Sequence, residues 1–196
     1  MPLDNDKINA LRREIVFTER LKGEQLTFHA TWGLFSPRAI DQGSRMLLEC
    51  LEVRPDDIAI DLGCGYGPLG LTVARLAPRG HCLLVDKDFV AVEFATKNAA
   101  LNGISNIEVQ LSDGLKHVGE KSFTLAVTNL PAKTSNEHYY LFFQDIHDHL
   151  EPGGRFYIVV ISGLRNFIKR ALNEVFGNYK KLKQGKSYTV AMALKE

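Results

Sequence analysis

Apolar positions along the chain fall into short blocks that alternate between two periods. The blocks at 57–60, 81–85, 107–111, 123–128 and 155–161 are short, aliphatic and bounded by turn residues, which predicts buried strands. The stretches at 69–76, 137–150 and 164–176 carry apolar residues at helical spacing. Strands alternating with helices argue for a parallel sheet covered by helices. Before this alternation, residues 7–13 predict a helix, 14–18 a strand, and 26–30 its hairpin partner. After it, 179–183 and 187–193 predict two strands around Gly185, an antiparallel closing hairpin. Pro37 after Ser36 predicts a helix reaching about Leu51, because proline is favoured in the first helical turn. Glu151-Pro152-Gly153-Gly154 reads as a turn ahead of the strand that begins at Arg155.

The most informative chemistry sits where the first strand of the alternation ends. Asp61-Leu62-Gly63-Cys64-Gly65-Tyr66-Gly67-Pro68 places an acid and then a glycine-rich turn between a strand and a helix. Glycine lets the chain turn sharply and come close to a ligand. A dinucleotide fingerprint needs G-x-G-x-x-G, and counting from Gly63 the third glycine falls on Pro68. An acid aimed into the pocket suits a cationic ligand better than a pyrophosphate. Both points weigh against a nicotinamide dehydrogenase. The run resembles motif I of class I S-adenosylmethionine-dependent methyltransferases. The resemblance implies that Gly63, Cys64 and Gly65 lie under the cofactor's methionine moiety, with Asp61 orienting its amino group.

Three further strand ends agree. The strand at 81–85 runs into Asp86, about 20 residues past the glycine turn, where a carboxylate reaches a ribose in a βαβ unit. Family resemblance assigns Asp86 to the ribose hydroxyls, with Lys87 and Asp88 flanking the adenosine. The strand at 107–111 ends in Ser112-Asp113-Gly114; the resemblance gives Asp113 the adenine amino group, while Asp-Gly is also a turn signal by itself. The strand at 123–128 ends in Asn129-Leu130-Pro131-Ala132, which is similar to the N/D-P-P-F/Y/W motif of amino-group methyltransferases. There the Asn side chain and a backbone carbonyl accept hydrogen bonds from the target amine. Asn129, Leu130 and Pro131 are the matching catalytic candidates, and Asn129 also borders the cofactor. The motif's first proline and its aromatic are missing here, so an aromatic for stacking a base must come from Phe35, Tyr139 or Tyr140.

Upstream, Phe35-Ser36-Pro37-Arg38-Ala39-Ile40-Asp41-Gln42-Gly43-Ser44 is similar to the F-S-x-x-x-x-D-x-G-S block of the methyltransferase small-domain family. That family includes ribosomal-RNA guanine-N2 methyltransferases. The resemblance covers roughly 30–195 and implies an α/β fold: a seven-stranded Rossmann-like class I sheet, mostly parallel, with a C-terminal antiparallel hairpin. It divides the chain into an extension at 1–35 and a catalytic domain at 36–196. The implied activity is methyl transfer from S-adenosyl-L-methionine to an amino nitrogen, foremost an exocyclic base amine of ribosomal RNA. The alternatives are a small-molecule or protein-amide acceptor, or a cofactor-binding interaction module without turnover.

Composition narrows the setting. In 196 residues the formal net charge is +1, which is no global nucleic-acid footprint. The lysines at 180, 181, 183 and 186, with Arg165, Lys169 and Arg170, are the one local basic candidate. If RNA is the substrate, a ribosomal particle, a partner or a homodimer is expected to complete the binding surface. Cys50, Cys64 and Cys82 show no paired framework, so free thiols and a cytoplasmic setting are expected. The six histidines have no metal-ligand spacing and read as surface residues; His147 and His149 cannot face one ligand from a helix. No run has the length of a membrane helix, and the first residues are acidic rather than signal-like.

Overall fold

A computed structural model of the chain describes residues 4–130 and 135–196. Helix α1 (Asn5–Arg12) leads into the strands β1 (Ile15–Leu21) and β2 (Glu24–Ala30), and α2 (Gln42–Cys50) follows. Strands and helices then alternate through β3 (Ile58–Leu62), α3 (Pro68–Leu76), β4 (His81–Asp86), α4 (Phe89–Leu101), β5 (Ile107–Leu111), β6 (Phe123–Asn129), α5 (Asn136–His149), β7 (Leu150–Ile161) and α6 (Arg165–Phe176). The chain closes with β8 (Lys180–Gln184) and β9 (Tyr188–Leu194).

The main sheet has the order β5-β4-β3-β6-β7-β9-β8. Its first five strands are parallel, while β9 runs antiparallel to β7 and β8 antiparallel to β9. This is the seven-stranded, mostly parallel α/β sheet with a closing antiparallel hairpin that the family resemblance implies. Strand order reverses between β3 and β6. In open α/β sheets a ligand crevice lies at such a point, outside the carboxyl ends of the strands.

Both faces of the sheet are covered, which is why its central strands read as unbroken apolar runs. On one face Leu26, Phe28, Leu47, Leu71, Leu84 and Ala95 join the hairpin, α2, α3 and α4 into one core. On the other, Tyr139, Phe143, Phe156, Ile168 and Leu172 form the core under α5 and α6. Each such fully buried Leu, Ile or Phe contributes roughly 1.5–3 kcal/mol relative to exposure. At the end of the sheet away from the crevice, buried Asp57 receives hydrogen bonds from Arg155 Nη2 (2.6 Å), Thr124 Oγ1 (2.8 Å) and the Arg54 amide (2.6 Å). That ion pair fastens the start of β3 to β7.

Three local expectations are corrected. The helix does not open at Pro37. Ser36 takes a positive φ of 48°, and its hydroxyl donates to the Ala39 carbonyl at 2.7 Å. The Tyr66 hydroxyl donates to the carbonyls of Ser36 and Ala39, so side chains occupy acceptors that a helix would use. Asp41 caps α2 instead, accepting from the amides of Gly43 and Ser44. Nor is 151–154 a turn before the strand: β7 starts at Leu150 and passes through an irregularity in its pairing with β6. Gly153, at φ 79°, supplies the left-handed residue there. Finally, only His117 and His138 of the histidines are exposed. His29 pairs with Glu14, His147 packs edge-on against Phe176, and His149 bonds the carbonyls of Asp145 and Gly119, so these lie half-buried.

Candidate active site

The carboxyl ends of β3, β4, β5 and β6 surround a cavity of about 650 Å³. Asp61, Gly63, Cys64, Gly65, Asp86, Lys87, Ser112, Asp113, Gly114, Asn129 and Leu130 all line it, so the topology gathers sequence-predicted residues that lie up to 69 positions apart. Pro131 lies outside the described residues.

The glycine turn is held from below. The amides of Gly63 and Cys64 both donate to the Val85 carbonyl, at 2.9 and 3.1 Å. Gly63, Gly65 and Gly67 have φ of 73°, 56° and 97°, a region that side chains with a Cβ rarely adopt. Behind the turn, buried Asn98 on α4 donates to the carbonyls of Tyr66 and His29 and accepts from the His29 amide. One satisfied side chain thereby ties the glycine turn to the N-terminal hairpin.

Asp61 is the unusual group in the cavity. Its Oδ2 accepts from the Gly70 amide at 2.8 Å, at the start of α3. Its Oδ1 is buried and has no hydrogen-bond partner among the described residues. Burial, with some repulsion from Asp86, raises its pKa to about 7, against the lowering effect of the Gly70 amide. A buried polar atom without a partner costs roughly 1–3 kcal/mol. An ammonium group at this wall would satisfy Oδ1 and stabilise the ionised carboxylate, so the residues present fit a cationic amino acid moiety.

Asp86 is prepared on both oxygens. Oδ2 accepts from the Gly65 amide and Oδ1 from the Asp88 amide, each at 2.9 Å. Each carboxylate oxygen keeps further acceptor capacity. Ser112 is buried; its hydroxyl donates to the Gly114 carbonyl and its amide to the Asp86 carbonyl, so it shapes the cavity floor. Asp113 is exposed at the rim, and its hydrogen bond to Lys116 lowers its pKa. Cys64 is buried, and its thiol pKa is pushed up by burial and then by Asp61 and Asp86, which disfavours a nucleophilic thiolate. Among the described residues no cluster of His, Cys, Asp and Glu could hold a metal ion, and no helix is long and apolar enough to cross a membrane.

At the other end of the cavity, Asn129 Nδ2 donates to Asp41 Oδ2 at 3.0 Å and to Ser44 Oγ at 2.9 Å. Asp41 Oδ2 already accepts from the Gly43 and Ser44 amides, so the nitrogen of the Asn129 amide faces it. This leaves Asn129 Oδ1 as an acceptor on the cavity wall. The same carboxylate caps α2 and takes the Tyr188 hydroxyl on Oδ1 at 2.9 Å. Asp41, Ser44 and Tyr188 also line the cavity, although the sequence assigned none of the three an individual site role. Asp41 and Ser44 belong to the D-x-G-S block, which was a findable signal; Tyr188, far along on β9, offered none. Of the aromatic candidates, Phe35 lines the cavity rim and is 65% exposed. Tyr139 is fully buried against Phe143 and Phe167, and Tyr140 bonds Glu174 and packs on Phe167, so neither borders the cavity.

Known proteins carry the same organisation. A family model described as "Methyltransferase small domain" matches residues 25–192. The chain is 31% identical over 180 residues to Uncharacterized protein YbxB of Bacillus subtilis (strain 168), covering 90% of this chain and 89% of that one. It is 32% identical over 165 residues to the Ribosomal RNA small subunit methyltransferase C of Hamiltonella defensa, covering 82% of this chain and 48% of that one. Among solved structures, a T. thermophilus 16S rRNA N2 methyltransferase in complex with AdoMet and guanosine superposes with a TM-score of 0.84 at 29% identity. That match covers 93% of this chain and 51% of the other, so the chain spans about half the length of these two methyltransferases. By the extent of the family match and by these identities, the chain belongs to the methyltransferase small domain family.

Proposed function

We propose that the chain transfers a methyl group from S-adenosyl-L-methionine to an exocyclic amino nitrogen of a base in ribosomal RNA, in the cytoplasm. The observation that carries this reading is the Asn129 amide of the cavity wall, its nitrogen locked by Asp41 and Ser44 so that its oxygen is left to accept. The ribosomal-RNA activity of relatives that share this fold supports the choice of substrate.

When bound, the cofactor supplies a methyl carbon made electrophilic by its sulfonium. The work left to the protein is to align donor and acceptor and to exclude competing water. Asp61 Oδ1 takes the cofactor's ammonium, and Asp86 takes the ribose hydroxyls. Ser112 and Gly114 shape the adenosine end, with Asp113 at its rim. Asn129 Oδ1 and the Leu130 carbonyl hold the two amino hydrogens, which fixes the direction of the nitrogen lone pair. The nitrogen would form its bond to the methyl as the methyl–sulfur bond breaks to leave a neutral thioether, and it would release one of its protons to water. Phe35 supplies the flat face on which the base stacks, in place of the aromatic missing from 129–132.

The test compares wild type with Asn129→Ala for label transfer from S-adenosyl-L-methionine to unmodified ribosomal RNA transcripts. Turnover is expected to fall at least tenfold with cofactor affinity little changed. Equal losses in turnover and cofactor affinity would mean that Asn129 is structural.

A further inference from the structure

The cavity wall is strongly acidic. Among the described residues, Asp41, Asp61, Asp86, Asp88 and Asp113 line it against a single lysine, Lys87. That suits a cationic cofactor and repels RNA phosphates, so an RNA substrate needs its backbone held elsewhere. The fold provides such a place two strands away. A cleft of about 230 Å³ between α6 and β8 is lined by Arg165, Asn166, Lys169, Tyr179, Lys181 and Gln184.

Two observations set this cleft apart. First, its three cations have no carboxylate partner among the described residues. Arg165 donates to the Ser162 carbonyl and Lys181 to the Gln184 amide oxygen. Arg165 and Lys169 are four residues apart on one helix, a like-charge spacing that costs stability unless an anion offsets it. Of the neighbouring cations, Arg170 and Lys183 are paired, with Glu174 and Glu49, while Lys180 and Lys186 lie outside the cleft. Second, one end of the cleft reaches the edge of the sheet on which the cavity opens. Ile161 and Tyr188 pair across β7 and β9, and both line the cavity. Gln184 pairs with Thr189, the next residue along β9, and Arg165 begins α6 just beyond the end of β7. With neighbouring strands about 4.8 Å apart, Gln184 at the near end of the cleft lies one strand away from β9 where that strand borders the cavity.

We infer that the cleft between α6 and β8 binds the RNA phosphodiester backbone beside the nucleotide whose base enters the cavity. Arg165, Lys169 and Lys181 neutralise the phosphates, and the Asn166 and Gln184 amides donate to their oxygens. The inference rests on the RNA reading given above and adds the surface on which the strand lies.

The test uses the full chain and in vitro transcribed, unmodified small- and large-subunit ribosomal RNA. Binding is measured over a salt series for wild type, for the triple variant Arg165→Gln/Lys169→Gln/Lys181→Gln, and for the control Arg170→Gln/Lys183→Gln. S-adenosyl-L-methionine binding verifies folding of each. Three lost phosphate contacts should make the slope of log K against log salt shallower by about 2 in the triple variant. The control should keep the wild-type slope, and S-adenosyl-L-methionine affinity should be equal in all three. An unchanged slope in the triple variant, or an equal fall in the control, overturns the cleft while leaving the RNA reading intact. Wild type that binds neither RNA overturns both.

Discussion

Replacing Asp41 with alanine separates the acceptor-positioning network from the cofactor site. The substitution removes the acceptor of four hydrogen bonds, from Gly43 N, Ser44 N, Asn129 Nδ2 and Tyr188 Oη. Loss of the helix cap costs about 1 kcal/mol. For a chain of this length that lowers Tm by roughly 2–4 °C. The bond to Asn129 is charge-assisted, a class worth roughly 1.5–3 kcal/mol. If that energy holds the amide in its working orientation, turnover falls roughly 10- to 100-fold. The Ser44 hydroxyl still holds the amide at 2.9 Å, so the lower half of that range is expected. Asp61 and Asp86 make no hydrogen bond to Asp41, so cofactor affinity should change less than threefold. Asp41→Asn is the internal control, because its amide oxygen can still serve Gly43, Ser44 and Asn129. The assays are thermal unfolding, calorimetric titration of S-adenosyl-L-methionine, and methyl transfer. Asp41→Ala with the expected loss of stability but wild-type turnover would refute the claim that Asp41 orients Asn129.

Other expectations follow from the same geometry. Asp61 is raised to about 7 by burial, above its unfolded value of 3.8. Its ionisation therefore weakens the cofactor-free fold as pH rises from about 4 to 7, while a bound ammonium favours the ionised form. Cofactor affinity should rise with pH by up to tenfold per unit below about 7 and level off above it, and Asp61→Asn should flatten the profile; a wild-type profile flat from pH 5.5 to 8 contradicts this. Asp57→Ala leaves Arg155 buried without its partner, which costs about 3–5 kcal/mol and is read from the urea midpoint; a change under 1 kcal/mol would show that the pair is dispensable. Phe35→Ala should raise KM for RNA at least fivefold, from a base-stacking energy of about 1–3 kcal/mol, and Phe35→Tyr should restore it. Equal KM values would remove Phe35 from the acceptor site.

The legible parts of the site were those whose geometry is local. Asp61, the three turn glycines and Asp86 stand at strand ends, where strand period and turn chemistry fix their direction without tertiary information. The network around Asp41 was not legible, because Asn129 and Tyr188 lie 88 and 147 residues away and meet it only once β6 and β9 are in the sheet. The helix expected from Pro37 failed for a related reason: Tyr66, 27–30 residues on, takes the carbonyls of Ser36 and Ala39. The pattern at 151–154 signalled a turn, yet the strand runs through it, held by backbone hydrogen bonds between Gly153, Gly154 and Lys195 just past the end of β9. Burial also sorted the aromatic candidates. Nothing in the local sequence distinguished core Tyr139 from rim Phe35.

The most direct test of the account is the chemical identity of the product. Unmodified small- and large-subunit ribosomal RNA transcripts are incubated with the protein and methyl-labelled S-adenosyl-L-methionine, then digested to nucleosides and analysed by mass spectrometry. The account predicts label on an exocyclic amino nitrogen of one nucleoside, absent with Asn129→Ala. Label on a ribose oxygen or a ring carbon, or no transfer to either RNA, would contradict it.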